Sequence, residues 1–370
     1  MKRRTFVAAG IAAFGTAPLY AALKEQRWDK AVEVLEQAAA SGQVESASLH
    51  VQHRGEAFSR SFGKTKSADA MFLLGSISKP INVAALMSLY DEGKFGLDDR
   101  VSKYLPTFNR AGQGDVTIRH LLTHVSGLPD QLPVNGELRK QNAPLSEFVA
   151  QTLKTPLSFR PGTQYQYSSM GILLATHIGE LVSGMEITSL TDQRVFQKLG
   201  MQHSAQGLGR FQLTDMVRCQ MEGAAPESGS GDPTAKNWDW SSLYWRKLGA
   251  PWGTTHCSAP DIGRFLDEFL HARGRVVKPE TAKMMTTNQN PAGIKSRGIG
   301  FDVGAEAGGP GCSDQTFGHG GSTGTLCWAD PATNTICVVL TSLPRRAVSP
   351  HPRELASNAV AAVIHPEAAQ

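Results

Sequence analysis

Ser76 and Lys79 stand three residues apart in the stretch FLLGSISKPINVAALMSLYDEGK, where a short apolar strand gives way to an amphipathic helix. Residues at i and i+3 share a helix face, so the hydroxyl and the amine can meet. A serine hydroxyl is a weak nucleophile at neutral pH and needs a base beside it. An ammonium cannot be that base, but a neutral amine can. A lysine withdrawn from water, or set beside another cation, has its pKa lowered. A helix N-terminus at this point would also aim backbone N–H groups at a developing oxyanion. The Ser-x-x-Lys spacing is common by itself; two further stretches give it weight.

In the first of them, Tyr167-Ser168-Ser169 follows a Pro161-Gly162 turn and opens a strongly apolar helical run. A phenol held near a lysine ammonium has its pKa depressed and can share the proton transfers. The other reading is a tyrosine packed at a helix start. In the second, TFGHGGSTGTLCWADP, four glycines surround His319 just before a strand. Glycines there let a ligand approach the strand backbone closely. The plainer reading is a loose loop entering an edge strand.

Taken in order, Ser76-Ile77-Ser78-Lys79, Tyr167-Ser168-Ser169 and His319-Gly320-Gly321 resemble the serine β-lactamase and penicillin-binding protein superfamily, specifically its class C β-lactamase and esterase-like branch. The stretches TIRHLLTHVSGLP, FRPGTQYQYSS, APDIGRFL and FGHGGSTGT add to the likeness, which runs from about Ala31 to Ile364. The resemblance implies that Ser76 is the acylated nucleophile and that Lys79 and Tyr167 form the base system. It implies an oxyanion hole from the backbone N–H groups of Ser76 and Ser322, each such donor being worth about 3 kcal/mol of barrier. Ser169, His319, Gly320 and Gly321 would contact substrate, with no cofactor and no metal.

The chain departs from the family pattern at two of these positions. Ser169 replaces an asparagine; its hydroxyl can still donate to Lys79 or to a substrate carbonyl, but with one proton rather than two. His319 stands where β-lactamases keep a lysine that attracts the substrate carboxylate, and a neutral imidazole is a weaker anion site. Arg345 and Arg346 are a second source of that charge, or two solvated loop residues. His120 and His124 have the i, i+4 spacing of zinc ligands, and His256 is a third histidine of interest. The intervening residues lack the glutamate of a metalloprotease helix, and the resemblance makes this stretch a structural helix and turn. Trp238, Trp240, Trp245 and Trp252 either rim the cleft or fill the core of a helical lobe.

The elements that must position these residues follow from periodicity and punctuation. Trp28, Val32, Leu35 and Ala39 mark one face of a first helix that ends at Gly42. SASLHVQHRGEAFSRSFG alternates about His53-Arg54-Gly55-Glu56 and predicts a β-hairpin. Helical periods dominate from about Leu145 to Leu199, and a polar Gly/Pro/Ser-rich loop begins at Gly223. A helix over SAPDIGRFLDEFLHARG, strands at GIGFDVG, GTLCWAD and TICVVLTS, and a closing helix at PRELASNAVAAVI complete the chain. Strands separated by a helical block can rejoin in one antiparallel sheet. The predicted class is therefore α+β: an antiparallel sheet flanked by helices with an inserted all-α lobe. The body covers about 28–100 and 253–370, the lobe about 101–252, and the cleft between them is the default ligand site.

The bulk composition, 41% hydrophobic and 19% charged over 370 residues, is that of a globular protein. A net charge of +4, with no dense Lys/Arg run beyond the N-terminus, gives no reason to expect nucleic acid. Residues 1–22 have the layout of an export signal: a basic start with Arg3-Arg4 of twin-arginine type, then an uncharged Ala/Gly-rich stretch. After its removal no stable membrane anchor is expected, and the protein would be periplasmic or secreted. Five cysteines leave at least one unpaired. A five-residue turn from Asp330 to Asn334 would set Cys327 opposite Cys337 on one sheet face, either bridged or as two buried thiols. The function expected is an exported serine hydrolase that forms a covalent acyl-enzyme on a small-molecule or peptide substrate: an ester, a β-lactam or a D-amino-acid peptide. The alternative is a catalytically silent binder of cell-wall peptide or an acyl ligand.

Overall fold

In the computed structural model, residues 27–110 and 112–364 are described. The export-type stretch at 1–22 lies outside them. Among the described residues nine strands form two sheets: β1 (Ser46–His53), β2 (Glu56–Gly63), β3 (Phe72–Leu73), β4 (Ser204–Gln206), β5 (Thr255–Cys257), β6 (Asp302–Val303), β7 (Phe317–Gly321), β8 (Thr325–Asp330) and β9 (Thr335–Thr341). The large sheet has the order β2-β1-β9-β8-β7-β6 and is antiparallel throughout. The first hairpin thus pairs with the last strand, closing the body around the helical middle. A small sheet, β3-β5-β4, carries the approach to Ser76. The strand expected at GIGFDVG is shorter, only Asp302–Val303 pairing with β7.

Among the described residues the helices of ten residues or more are α1 (Asp29–Ala40), α2 (Ser78–Asp91), α3 (Leu145–Lys154), α4 (Ser169–Ser183), α5 (Ala259–Leu270) and α6 (Pro352–Ile364). α1 and α6 pack together on one face of the large sheet. There Val32, Leu35, Ala47, Leu49, Val51, Val339, Ala356 and Val360 form one core. On α1 the inward position is Ala38 rather than Ala39, which is only half-buried. α5 covers the opposite face, where the larger core runs from the sheet into the helical segments. α2 is not amphipathic as expected: every residue from Ser78 to Leu89 is buried. It is the central helix between body and lobe, and a helix covered on all sides needs no polar face.

The β8–β9 hairpin corrects the expected register. Asp330 pairs with Thr335, so the loop is the four residues 331–334, and Trp328, not Cys327, lies opposite Cys337. A slip of one residue sends a side chain to the other face. Cys327 accordingly joins the α5 side and Cys337 the α1/α6 side. The two are unbridged, as are Cys219, Cys257 and Cys312.

Candidate active site

From Met71 to Leu89 every residue is buried except Ser76. The reason is local. β3 ends at Leu73, Gly75 adopts φ +56°, and the 3-10 turn Gly75–Ile77 leads into α2. That turn lifts one side chain out of an otherwise closed segment. The left-handed φ favours glycine at position 75, and space enforces it: a Cβ there would lie 3.0 Å from Thr323 Oγ1 and 3.2 Å from the Ser322 backbone nitrogen. Hence the backbone beside Ser76 and the turn carrying Ser322 are in direct apposition.

The apposition is locked from both sides. The Thr323 hydroxyl donates to the Leu73 carbonyl at 2.7 Å, and the Thr325 hydroxyl to the Leu74 carbonyl at 2.7 Å. Gly321 must lack a side chain, because a Cβ would come within 2.1 Å of the Leu74 oxygen. From α6, the buried Arg353 guanidinium donates to the carbonyls of Gly321 and Thr325, each at 2.5 Å. The N–H groups of Ser76 and Ser322, on the two apposed segments, are thereby fixed relative to each other.

Lys79 is fully buried. Its Nζ donates to Ser76 Oγ at 3.0 Å and to the Trp252 carbonyl at 3.3 Å. Asn82, three residues further along α2, donates to the Pro251 carbonyl at 3.2 Å and so steadies the segment that reaches Lys79. Burial lowers the Lys79 pKa from its ordinary 10.5 to about 7, with the charge of Arg297 adding to the effect and Asp130 and Asp302 opposing it. A large share of this amine is therefore neutral at physiological pH.

The loop before α4 delivers Tyr167, whose ring centroid is 4.6 Å from Lys79 Nζ. Its phenol reaches the Ser76 hydroxyl. Burial pushes the phenol pKa far above 10, outweighing the opposing Arg297 charge and the Ser76 hydrogen bond. The expected depression of this pKa is therefore reversed: desolvation of the phenolate exceeds any stabilisation by neighbouring cations. His124 braces the ring at a centroid separation of 4.6 Å. The His124 Nδ1 accepts from the Ser168 N–H at 3.2 Å, and burial keeps the imidazole neutral. His120 instead caps its own short helix through Thr117, and His256 donates to the Gly207 carbonyl at 2.8 Å. The i, i+4 histidines thus serve two separate structural bonds.

Ser169 does not point where the sequence suggested. Its hydroxyl donates to Asp130 Oδ1 at 2.5 Å, and its N–H donates to the same oxygen at 3.0 Å. Its single proton is spent there rather than on Lys79 or a substrate carbonyl, and Asp130 supplies the negative charge near Lys79. His319 is buried, with both ring nitrogens engaged. Its Nδ1 donates to the Gly320 carbonyl at 2.8 Å, so its Nε2 must accept from Arg297 Nη2 at 2.9 Å. Burial and the adjacent cations pull its pKa down to about 4, so it is a neutral imidazole. The cation missing at position 319 stands directly behind it in Arg297, which is fully buried and paired with Asp302. Arg345 and Arg346 are exposed on a 3-10 turn, Arg345 facing Glu354 at 3.4 Å. The four tryptophans belong to the interior.

Sequence reasoning missed Asp130, Arg297, Asp302 and the Trp252 carbonyl, and gave His124 only a structural place, not its contact with the Tyr167 ring. A signal was available for Asp130, which directly follows the quoted TIRHLLTHVSGLP stretch; RGIGFD offers none that marks Arg297 as buried.

A serine hydroxyl held against a buried lysine and a tyrosine, at the junction of an antiparallel sheet and a helical lobe, is an arrangement suited to a serine hydrolase. The chain belongs to the Beta-lactamase family, whose model matches residues 31–361. It is 27% identical over 294 residues to a "Putative D-alanyl-D-alanine carboxypeptidase" of Escherichia coli (strain K12), covering 72% of this chain and 67% of that protein. It is 33% identical over 210 residues to Esterase EstB of Burkholderia gladioli, covering 52% of this chain and about half, 51%, of the esterase. In fold it is similar to EstCE1, a hydrolase with promiscuous acyltransferase activity, with a TM-score of 0.73 at 21% identity, covering 91% and 99% of the two chains. It is also similar to the D-amino acid amidase from Ochrobactrum anthropi SV3, with a TM-score of 0.72 at 21% identity, covering 90% and 99%.

Proposed function

We propose that this serine hydrolase forms an acyl-enzyme on Ser76 and acts on a carboxylic ester or a D-amino-acid peptide in preference to β-lactams. The observation that carries the mechanism is the 3.0 Å contact between Ser76 Oγ and a buried Lys79 amine whose pKa is about 7. Neutral Lys79 takes the proton of Ser76 as Oγ bonds to the substrate carbonyl carbon. The carbonyl π electrons move onto oxygen, where the N–H groups of Ser76 and Ser322 receive them. As the tetrahedral intermediate collapses, the bond to the leaving group breaks and the Tyr167 phenol protonates it. The Lys79 ammonium then returns a proton to Tyr167. Water repeats the sequence on the acyl-enzyme and frees the acid. The raised pKa of Tyr167 keeps the phenol protonated at neutral pH, so it has a proton to give, while the lowered pKa of Lys79 leaves an amine free to accept one.

Substrate preference follows from the two departures. Neutral His319 and the committed Ser169 leave weak provision for the carboxylate and the amide contacts of a β-lactam. The names of the relatives, an esterase and a carboxypeptidase, are in keeping with this reading. Export to the periplasm or beyond is part of the proposal and rests on the basic and apolar character of residues 1–22; cell fractionation checks it.

Ser76→Ala should abolish hydrolysis of a nitrophenyl ester while leaving the fold intact. A fluorophosphonate should add mass to the Ser76 peptide of the parent protein. Undiminished hydrolysis by the variant would refute the assignment. A folded parent that neither turns over ester nor takes label would favour the silent binder.

A further inference from the structure

A buried arginine of α6 bears on the Ser76 site through a single peptide group. Arg353 is 3% exposed. Its Nη2 lies 3.6 Å from Glu354 Oε1, beyond hydrogen-bond reach, and its Nε has no hydrogen-bond partner among the described residues. Burial lowers its pKa only to about 10, so the group is cationic at neutral pH. Its close contacts are with main chain instead: Nη1 donates to the carbonyls of Gly321 and Thr325, each at 2.5 Å. Hydrogen bonds from an ionised donor are roughly twice as strong as neutral ones. A guanidinium withdrawn from water without a close carboxylate is costly to keep, and what it holds here is the turn that carries Ser322.

The Gly321 carbonyl and the Ser322 N–H are the two ends of one planar, conjugated peptide. A cation on the oxygen draws electron density along that peptide and leaves the N–H more positive. Hydrogen bonds in series strengthen one another by about 10–30% per bond. The peptide is also held in place. The Gly321 carbonyl accepts a second, longer bond from the Gly324 N–H at 3.2 Å, and the Ser322 carbonyl accepts from the Arg345 N–H at 3.0 Å. The Ser322 nitrogen itself faces the Ser76 segment, 3.2 Å from where a Cβ on Gly75 would stand. The other oxyanion donor lacks this charge: the peptide that ends in the Ser76 N–H begins at the Gly75 carbonyl, which accepts from the Ser78 N–H, a neutral donor.

We propose that Arg353 is a positioning residue of the Ser76 site. By binding the Gly321 carbonyl it orients and polarises the Gly321–Ser322 peptide, and so makes the Ser322 N–H the stronger of the two donors to the oxyanion. The role rests on the proposed acyl-enzyme reading and extends the catalytic apparatus to a helix that touches neither substrate nor nucleophile.

The test uses the 4-nitrophenyl ester of trimethylacetic acid, whose bulk slows deacylation, with carbon-13 at the carbonyl. The nitrophenolate burst gives the acylation rate. Isotope-edited infrared difference spectroscopy gives the carbonyl stretch of the acyl-enzyme, which falls as the donors to that oxygen strengthen. Arg353→Gln keeps an N–H donor and loses the charge. Its acylation should slow by about 2- to 8-fold, which is 10–30% on a logarithmic scale of the about 100- to 1,000-fold cost of losing a donor outright. The ester concentration that half-saturates the burst should change little, and the carbonyl stretch should move to higher wavenumber. Arg353→Lys keeps the charge on a shorter side chain and should lie between parent and Arg353→Gln in both readouts. Lost helix packing alone would lower the melting temperature yet leave the band of the folded, acylated fraction unmoved. An Arg353→Gln band and rate equal to the parent's, or Arg353→Lys as impaired as Arg353→Gln, would overturn the proposal. If Arg353→Gln fails to fold, Arg353→Lys decides, and an unmoved band in it overturns the proposal. Mass spectrometry of the parent separates the two possible failures: a parent that takes no acyl group on Ser76 overturns the acyl-enzyme reading and this role together, whereas an acylated parent with unshifted variants overturns this role alone.

Discussion

Replacing Lys79 by methionine should destroy activity and, at neutral pH, make the protein more stable. The amine sits in a fully buried position with its pKa lowered from 10.5 to about 7. Each pKa unit corresponds to about 1.4 kcal/mol, so the folded state bears a cost of roughly 5 kcal/mol when the amine is fully charged and roughly 4 at pH 7. Methionine has nearly the same shape and no charge. It forfeits the bonds to Ser76 and to the Trp252 carbonyl, each worth about 1 kcal/mol. The net expectation is a gain of about 2 kcal/mol at pH 7. Because the folded pKa lies below the unfolded one, the folded state binds fewer protons between pH 7 and 10.5. The parent therefore gains stability as pH rises through that window, and the difference between the two proteins shrinks until the variant's advantage is gone. Urea unfolding of both proteins from pH 6 to pH 10 measures this. A variant less stable than the parent at pH 6, or a stability difference independent of pH, would refute the burial argument.

Two other substitutions probe the same cluster. Tyr167→Phe removes the phenol hydroxyl that is hydrogen-bonded with Ser76 and should lower kcat by about 100- to 10,000-fold with little change in melting temperature; steady-state kinetics with a nitrophenyl ester decide, and near-normal turnover would exclude Tyr167 from proton transfer. Gly75→Ala forces a Cβ to within 3.0 Å of Thr323 and 3.2 Å of the Ser322 nitrogen at φ +56°, so it should spread the two N–H donors and lower kcat by at least about 100-fold, read as slower acylation in a stopped-flow trace.

The residues gathered at the candidate site were legible because chemistry constrains their type and spacing. Ser76 and Lys79 had to share a face, and a glycine-flanked strand had to come close to them. The α+β class followed from strands at both ends of the chain around a helical middle. What escaped was set by contacts distant in sequence. Asp130 meets Ser169, and Arg297 meets His319, through buried loops that carry no periodic pattern. Tyr167 was misjudged because neighbouring charge is visible in a motif while desolvation depends on the whole surrounding fold. The Cys327 and Cys337 pairing failed on a single residue of loop length, which periodicity two turns into opposite sheet faces. The buried α2 was read as amphipathic because its few polar residues, Ser78, Lys79, Asn82 and Ser88, are satisfied inside the protein rather than by water.

The most direct test of a neutral-amine base is the pH dependence of acylation. The rate at which a fluorophosphonate or an activated ester acylates Ser76, followed by mass spectrometry from pH 5 to pH 9, should rise tenfold per pH unit and level off near pH 7, where Lys79 loses its proton. A rate that is flat across this range, or that falls as pH rises through 7, would show that Lys79 is not the group that accepts the serine proton.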